Sequence, residues 1–333
     1  MSKLDQDIVI STRVRLARNF SGVRFPSKMQ ENDALALSDR VLKCLNASNE
    51  FTVYKMKNLT PIERRVLVER HLSSADLITK PNAMMLLSSN ENVAILIGEE
   101  DHLRIQCILQ GWRLQEADNL TRAIDTILAS QGYAFDDKLG YLTSCPTNVG
   151  TGMRASAMMH LAGLTMTNQI QNIAEMVGKF GYTIRGYYGE GSSGYGSMYQ
   201  LSNQVTLGVS EEEIMNGLMQ VVSSIIEKER GVRETLLKQD EGVLRDRLHR
   251  SLGILKYARR LSAQELMERI SDVKLGISMN MFEGISNEDI DRLVTNLQPA
   301  SISARLGKET DSNERDEARA KAVRIALKDC QVY

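Results

Sequence analysis

The sequence predicts an α+β protein, in which an antiparallel β-sheet flanked by helices is followed by an all-helical C-terminal domain. Two observations support this class. Short apolar or β-branched runs separated by turn-forming residues fill the earlier part of the 333-residue chain, a pattern typical of antiparallel strands. From Ser210 onward, apolar residues recur instead at helical spacing. These patterns predict a mixed domain over 1–235 and a helical domain over 236–333.

The first predicted strand covers residues 8–16, where β-branched residues are frequent (IVISTRVRL). Arg13 and Arg15 lie two residues apart within it. Because side chains alternate between the two faces of a strand, both guanidinium groups should project from the same face.

Amphipathic patterns predict two helices before the next strands, at 31–46 and 61–72. The second begins with Thr60, Pro61 and Glu63, a capping box with proline at the first helical position. The runs that follow predict a helix at 113–130 and strands at 84–87, 93–97, 105–109, 139–144, 182–188 and 199–207.

Residues 145–153 are rich in turn formers (CPTNVGTGM), and we predict that a helix starts near Arg154 and continues through ASAMMHLAGL. A helix N-terminus at this point would offer backbone N–H groups to an anion. The glycine- and serine-rich stretch 189–197 predicts a loop. In the last third, serine and an acid three residues later predict helix starts at Ser210, Ser262 and Ser286, and a charged helix covers 312–329.

The composition excludes several functions. Lys and Arg total 41 against 42 Asp and Glu, which argues against nucleic acid as a partner. No run approaches the roughly 20 apolar residues of a membrane span, and the N-terminus lacks an apolar signal core, so we expect a cytoplasmic protein. The chain has four cysteines, Cys44, Cys107, Cys145 and Cys330, and they form neither a CxxC pair nor a cluster with zinc-like spacing. This spacing predicts a reducing compartment and no metal site in the chain.

Five arginines stand out by their context: Arg13, Arg15, Arg104, Arg154 and Arg185. The arginine side chain is always charged and presents a planar fork that fits phosphate oxygens. The chain has no GxxxxGK[ST] loop and no protein-kinase set of motifs, so a nucleotide would be held mainly by arginines and backbone. The alternative is that these arginines are scattered surface charge.

Four blocks of the chain resemble the signatures of the ATP:guanidino phosphotransferases, the family of creatine and arginine kinases. They are STRVRLARN (11–19), EEDHLRI (99–105), CPTNVGTGMRAS (145–156) and RGYYGEG…YQLSNQVTLG (185–208). The resemblance implies transfer of the γ-phosphoryl group of ATP to a guanidinium, with Mg²⁺ bound through the nucleotide. The implied ATP-binding residues are Ser11, Thr12, Arg13, Val14, Arg15, His71, Arg104, Arg154, Ala155, Ser156, Ala157, Met158, Arg185, Gly186 and Gly189.

The resemblance also implies that Glu100 is the catalytic carboxylate, because its spacing to Arg104 matches the family. A guanidinium has a pKa above about 12 and must lose a proton to attack phosphorus. A carboxylate can align the guanidinium and accept that proton. Glu99 and Asp101 are adjacent, and any one of the three acids could instead be a solvated loop charge.

Cys145 matches the family's reactive cysteine, whose pKa neighbouring arginines would lower, although a lone cysteine is more often a small buried apolar residue. The second carboxylate is less clear, because creatine and arginine kinases have a glutamate where this chain has Ser193. Our hypothesis is that Glu190 takes that role. Tyr188 stands where those enzymes have a further phosphate-binding arginine, a function we expect Arg185 to cover.

The arrangement of the blocks resembles the bacterial protein-arginine kinases in particular. The first block begins at residue 11, without the helical domain that precedes it in creatine and arginine kinases, so a protein-borne arginine could reach the site. The motif RDEARA, with Arg315, Asp316 and Arg319, resembles that subfamily's and implies an allosteric phosphoarginine site. An exposed helix with charge pairs is the alternative.

The resemblance further implies partners: protein substrates bearing arginine, an activating zinc-finger adaptor, a heat-shock repressor, a Clp ATPase and a second copy of the chain in a homodimer. The products would mark proteins for Clp-type degradation in a stress response. Two other functions stay open, a kinase for a small guanidino compound and a non-catalytic regulator that binds phosphoarginine.

Overall fold

The computed structural model describes residues 5–46, 50–186 and 195–332. Eight strands form one sheet in which each neighbouring pair is antiparallel, in the order β2-β3-β4-β5-β1-β8-β10-β9. The strands are β1 (Val9–Arg18), β2 (Phe51–Lys55), β3 (Met84–Ser88), β4 (Val93–Ile97), β5 (Leu103–Gln110), β6 (Phe135–Asp136), β7 (Gly140–Tyr141), β8 (Met153–His160), β9 (Tyr182–Gly186), β10 (Met198–Asn203), β11 (Phe282–Glu283) and β12 (Gln331–Val332).

The helices alternate with these strands in the first part of the chain and follow one another after residue 210. They are α1 (Glu31–Cys44), α2 (Pro61–Glu69), α3 (Leu114–Ala129), α4 (Ala162–Met166), α5 (Ile170–Gly178), α6 (Glu211–Gln239), α7 (Glu241–Tyr257), α8 (Ala263–Ser278), α9 (Asn287–Asn296), α10 (Pro299–Leu306) and α11 (Ser312–Ala326). None of these described helices combines the length and apolar character that a membrane crossing requires. The predicted α+β class, with an antiparallel sheet and a helical C-terminal region, is confirmed.

One face of the central strands is covered by α3, α5 and α6. Val14 and Leu16 of β1 are fully buried there, in a core shared with Leu114 of α3, Val177 of α5 and Leu218 of α6. Because strand side chains alternate, Arg13 and Arg15 must project from the opposite face. The helices thereby leave a polar face of the sheet open beside the central strands.

The structure corrects one predicted element. Residues 153–160 form strand β8, not a helix that starts near Arg154. Alanine and methionine favour helices intrinsically, but here β8 pairs on both sides, with β1 and β10, so the sheet satisfies its backbone groups. Ala155 and Ala157 are fully buried in the core, whereas Arg154 is part-exposed on the other face. The predicted anion site at a helix N-terminus is therefore absent at Arg154.

The predicted helix starts at Ser210, Ser262 and Ser286 are confirmed. The hydroxyl groups of Ser210, Ser262 and Ser286 each accept a hydrogen bond from the backbone N–H three residues later. The helix expected over 61–72 ends at Glu69, and the strand expected over 139–144 shortens to the pair Gly140–Tyr141.

Helices α7 to α11 surround a second core, with Leu248, Ile270 and Val323 among its buried residues. Ala162 of α4 and Met198 of β10 also belong to this core. A two-residue β11–β12 pair is an addition to the expected all-helical region. This region packs on the sheet domain where α10 meets α2, where α8 meets the turn at 195–197, and where α8 meets α4. The predicted boundary at 235/236 lies inside α6, which continues to Gln239, and it stays a prediction.

Candidate active site

Side chains from five strands converge on the open face of the sheet. Arg15 of β1 lies directly opposite Arg154 of β8 on one side and Gln106 of β5 on the other. Arg185 of β9 lies opposite Gln200 of β10. The result is a polar cavity of about 190 Å³, lined by Arg13, Arg15, Arg154, Ser156, Arg185, Gln200 and Ser202.

Burial and mutual repulsion weaken the charged forms of these arginines. Burial, followed by the charge of Arg104, lowers the pKa of Arg13 to about 10. The same two causes hold the pKa of Arg15 well below its usual range, and burial, followed by the charge of Arg185, lowers the pKa of Arg154. Concentrated positive charge of this kind costs free energy until an anion offsets it.

Two buried donors strengthen the case for an anion. The Nε atoms of Arg13 and Arg15 are buried without a hydrogen-bond acceptor among residues 5–46, 50–186 and 195–332. Buried donors are rarely left unmatched in native proteins, and phosphate oxygens are strong acceptors for guanidinium groups. The arginines therefore fit the phosphates of a nucleotide.

The three acids of the loop before β5 have different surroundings. Glu99 is buried, and its Oε1 lies 2.5 Å from Nη1 of Arg104 and also accepts from the hydroxyl of Ser74. The Glu100 side chain is 39% exposed and its Oε2 lies 3.4 Å from Nη2 of Arg104. Of the two glutamates, Glu100 is thus the one that is accessible from solvent.

Asp101 is buried and joins two segments of the site. Its Oδ1 accepts from Nδ2 of Asn19 at 2.7 Å and from the backbone N–H of Ser144 at 2.6 Å. Because Ser144 precedes Cys145, Asp101 ties the acidic loop to the cysteine. The sulfur of Cys145 is part-exposed and lies 3.0 Å from the hydroxyl oxygen of Thr147.

Gln106 and His71 support Arg13 from the side of α2. The amide oxygen of Gln106 accepts from Nη2 of Arg13 at 2.5 Å. Its amide nitrogen donates to the carbonyls of His71 and Leu72, both at 3.1 Å. Burial, with the charge of Arg13 as a second cause, lowers the pKa of His71 to about 4, so this histidine is neutral near pH 7.

The alternation of the strands divides the other predicted nucleotide-binding residues between two faces. Ser11, Ser156 and Met158 share the face of the arginines, and Gly186 ends β9. Four side chains point to the core face instead, and any role in nucleotide binding would pass through the strand they build: Thr12, Val14, Ala155 and Ala157. Tyr188, Gly189, Glu190 and Ser193 lie outside the described residues.

The RDEARA residues lie on α11 in the helical region. Arg319 is 1% exposed, and its guanidinium donates to the carbonyls of Leu297 and Leu261 at 3.1 and 2.8 Å. Its Nη1 also lies 2.6 Å from Asp316, while Arg315 donates to the carbonyl of Thr310. Arg319 thus helps to hold the helical region together.

The fold brings to the site four residues to which the sequence alone gives no role there: Glu99, Gln106, Gln200 and Ser202. A signal for Gln106 was present, because it follows Arg104 by two residues and must share its face of β5. The positions of Gln200 and Ser202 follow only from the pairing of β10 with β8 and β9.

The class of protein follows from this fold and site together with the comparison of sequences. Residues 36–232 match the C-terminal catalytic domain of the ATP:guanido phosphotransferases. A lombricine kinase structure superposes with a TM-score of 0.62 at 24% identity, over 69% of this chain and 68% of that one. A duplicated taurocyamine kinase from Schistosoma mansoni superposes with a TM-score of 0.63 at 24% identity, over 80% and 40%. The chain belongs to the ATP:guanidino phosphotransferases.

The C-terminal part of the chain shows which branch of this family it belongs to. Residues 241–332 match the C-terminal domain of the protein-arginine kinase McsB. The protein-arginine kinase of Caldanaerobacter subterraneus subsp. tengcongensis is 44% identical over 98% of this chain and 99% of its own length. Those of Halalkalibacterium halodurans and Bacillus subtilis are 43% and 40% identical, each over 97% of this chain and over 93% and 91% of their own lengths. The chain is a member of the protein-arginine kinase family, as the sequence motifs predicted.

Proposed function

We propose that this protein transfers the γ-phosphoryl group of ATP to arginine side chains of other proteins. The observation that carries the proposal is the arginine cluster on the open sheet face, with buried Nε donors at Arg13 and Arg15. It stands in a chain that matches protein-arginine kinases over nearly its whole length. The triphosphate group of ATP supplies the negative charge that offsets such a cluster of arginines.

In the proposed reaction, a nitrogen of the substrate guanidinium forms a bond to the γ-phosphorus while the bond to the bridging oxygen of ADP breaks. The guanidinium is protonated at neutral pH, so the attacking nitrogen must also lose a proton. We assign the acceptance of that proton to Glu100, because its carboxylate is exposed beside Arg104. The arginines hold the charge on the transferring group and on the departing ADP.

The remaining site residues support this scheme in assigned roles. Cys145 would orient the substrate guanidinium, since Asp101 and Ser144 tie its segment to the acidic loop. Glu190 would grip the other side of the guanidinium, and Gly189 would contact the nucleotide. Across residues 5–46, 50–186 and 195–332, no three His, Cys, Asp or Glu side chains cluster to hold a metal ion. Mg²⁺ would therefore be bound mainly by phosphate oxygens and water.

We also propose how the kinase is regulated and with which partners it acts in the cell. Arg315, Asp316 and Arg319 would bind phosphoarginine, with the arginines on the phosphate and the aspartate on the guanidinium nitrogens. By resemblance to the family, the protein would act in the cytoplasm as a homodimer, with a zinc-finger adaptor, a heat-shock repressor and a Clp ATPase as partners. Its products would mark proteins for Clp-type degradation and regulate a stress response.

The decisive test incubates the protein with Mg-ATP and either a mixed protein substrate or free arginine, and then measures acid-labile N–P phosphate. Label on protein alone is the expected result. Label on free arginine alone would indicate a small-molecule guanidino kinase, and no label would indicate a non-catalytic phosphoarginine-binding regulator. An Arg15→Ala variant serves as the control, because it should remove the label by weakening the phosphate site.

A further inference from the structure

The segment that follows α2, residues 71–74, is hydrogen-bonded to Gln106, the side chain that accepts a hydrogen bond from Arg13. This segment turns sharply, since His71 has a left-handed φ of 58°. Its carbonyls at His71 and Leu72 accept from the amide of the buried Gln106, whose oxygen accepts in turn from Arg13. A shift of this segment would therefore move the amide group that orients Arg13.

The same segment also reaches Arg104. The hydroxyl of Ser74 donates to Oε1 of Glu99, and that oxygen lies 2.5 Å from Nη1 of Arg104. Glu99 has few alternative hydrogen-bond donors, because its side chain is only 1% exposed and so has almost no contact with water. Residues 71–74 thus fix two of the arginines to which we assign phosphate binding.

Glu69, the last residue of α2, is hydrogen-bonded to helix α10 of the C-terminal region. Its Oε1 accepts from the backbone N–H of Ala300 at 2.6 Å, and its Oε2 accepts from the N–H and the hydroxyl of Ser301, both at 2.8 Å. These are first-turn N–H groups of α10, which has no side-chain cap at its own N-cap residue, Gln298. A carboxylate from the sheet domain therefore caps a helix of the C-terminal region, and the helix dipole favours its charge.

We propose that Glu69 is a positioning residue for the phosphate site, which makes the geometry of Arg13 and Arg104 depend on the docking of α10. Glu69 is the last residue of α2 and lies two residues before His71. When α10 is docked, Glu69 holds the end of α2 in place, and residues 71–74 hold Gln106 and Glu99. When the contact is lost, both arginines lose a fixed support. This inference rests on the proposed assignment of the arginines to phosphate binding.

Three variants of the full-length protein test the link. Glu69→Gln removes the capping charge from the sheet domain. Ser301→Asp acts from the helical region: an acid in the first turn suits α10 itself but repels Glu69, so α10 should stay folded and undock. Each should raise the dissociation constant for Mg-ADP and the KM for ATP by about fivefold or more, which is the lower range for coupled sites. The Glu69→Gln/Ser301→Asp double variant removes the repulsion between the two carboxylates. It should therefore bind Mg-ADP more tightly than the Ser301→Asp variant does.

A matched control is available between the same two parts of the chain. Arg65 of α2 pairs with Glu309 at 2.5 Å, but both side chains are at least half exposed, so Arg65→Gln should leave nucleotide affinity unchanged. Gln106→Leu gives the reference for a complete loss of the support at Arg13. Unchanged affinity in folded Glu69→Gln and Ser301→Asp, or a double variant whose losses simply add, overturns the proposal.

The readouts separate this inference from the proposed function. Mg-ADP binding, measured by calorimetry, requires no acceptor and reports only on the phosphate site. Protein labelling by the wild-type chain reports on the kinase activity. A purely structural role for Glu69 would lower the melting temperature without changing the Mg-ADP dissociation constant, and that outcome would also contradict the proposal.

Discussion

At the scale of single residues, the three consecutive acids Glu99, Glu100 and Asp101 differ in burial and in their hydrogen-bond partners. Glu99 is buried against Arg104, Asp101 is buried against the segment of Cys145, and Glu100 between them remains accessible. The difference arises because the loop turns the flanking carboxylates inward, where donors satisfy them. A carboxylate that is hydrogen-bonded to buried donors is poorly placed to accept a proton from a substrate, which is why we propose Glu100 as the base.

This division predicts different kinetics for two isosteric substitutions. Glu100→Gln should lower kcat by about 10²–10⁴-fold with little change in the KM for ATP, since it removes proton acceptance. Glu99→Gln should instead raise the KM for ATP, because Arg104 loses its buried partner. Steady-state kinetics with a protein substrate measure both. Equal effects of the two variants on kcat and KM would contradict the division.

At the scale of secondary-structure elements, β8 shows where a local pattern misleads. Its sequence, MRASAMMH, suits a helix by composition, but the alternation of Arg154 and Ser156 with buried Ala155 and Ala157 suits a strand. The two small alanines allow the covering helices to approach the sheet. Pairing with β1 and β10 then decides the conformation, and it places Arg154 opposite Arg15.

The strand assignment predicts a sharp difference between neighbouring positions. Ala157→Leu adds volume to a fully buried site on the core face and should lower the free energy of unfolding by about 1–3 kcal/mol. Met158→Leu, on the opposite face, should change it by less than about 1.5 kcal/mol because the volumes are similar. Urea denaturation of both variants measures the difference. Similar losses at both positions would argue against this orientation of β8.

At the scale of the whole molecule, buried neutral histidines tie stability to pH. Burial is the first cause that lowers the pKa of His71, His102 and His160. In His102, Nδ1 accepts from the backbone N–H of Phe20 and Nε2 lies 2.7 Å from the carbonyl of Arg24, which suits the neutral ring with its proton on Nε2. Histidines of this kind bind protons more readily in the unfolded chain than in the folded one.

The resulting pH dependence has a definite sign. The stabilisation is fully present above the unfolded pKa, near 6.5, and is lost as the pH falls towards the folded pKa, about 4 for His71. Each histidine should contribute up to about 1.4 kcal/mol per pH unit within that window. Urea unfolding between pH 7.5 and 5.5 should show falling stability, with a smaller slope in His160→Gln. An equal slope in the variant would rule out a contribution from His160.

The sequence by itself determined the fold class, the helix starts at Ser210, Ser262 and Ser286, and the family. These follow from local rules, namely side-chain periodicity, capping and motif wording. The arginines at positions 13 and 15 could also be placed on one face, because strand alternation alone requires it.

Only the tertiary structure decided what surrounds those arginines. Strands β1, β8 and β9 come from distant parts of the sequence, so only the register of the sheet brings Arg15, Arg154 and Arg185 to one cavity. The burial of Glu99 and the capping of α10 by Glu69 likewise depend on contacts between distant segments. Local patterns carry no information on such contacts, because they arise only when the sheet and the helical region pack.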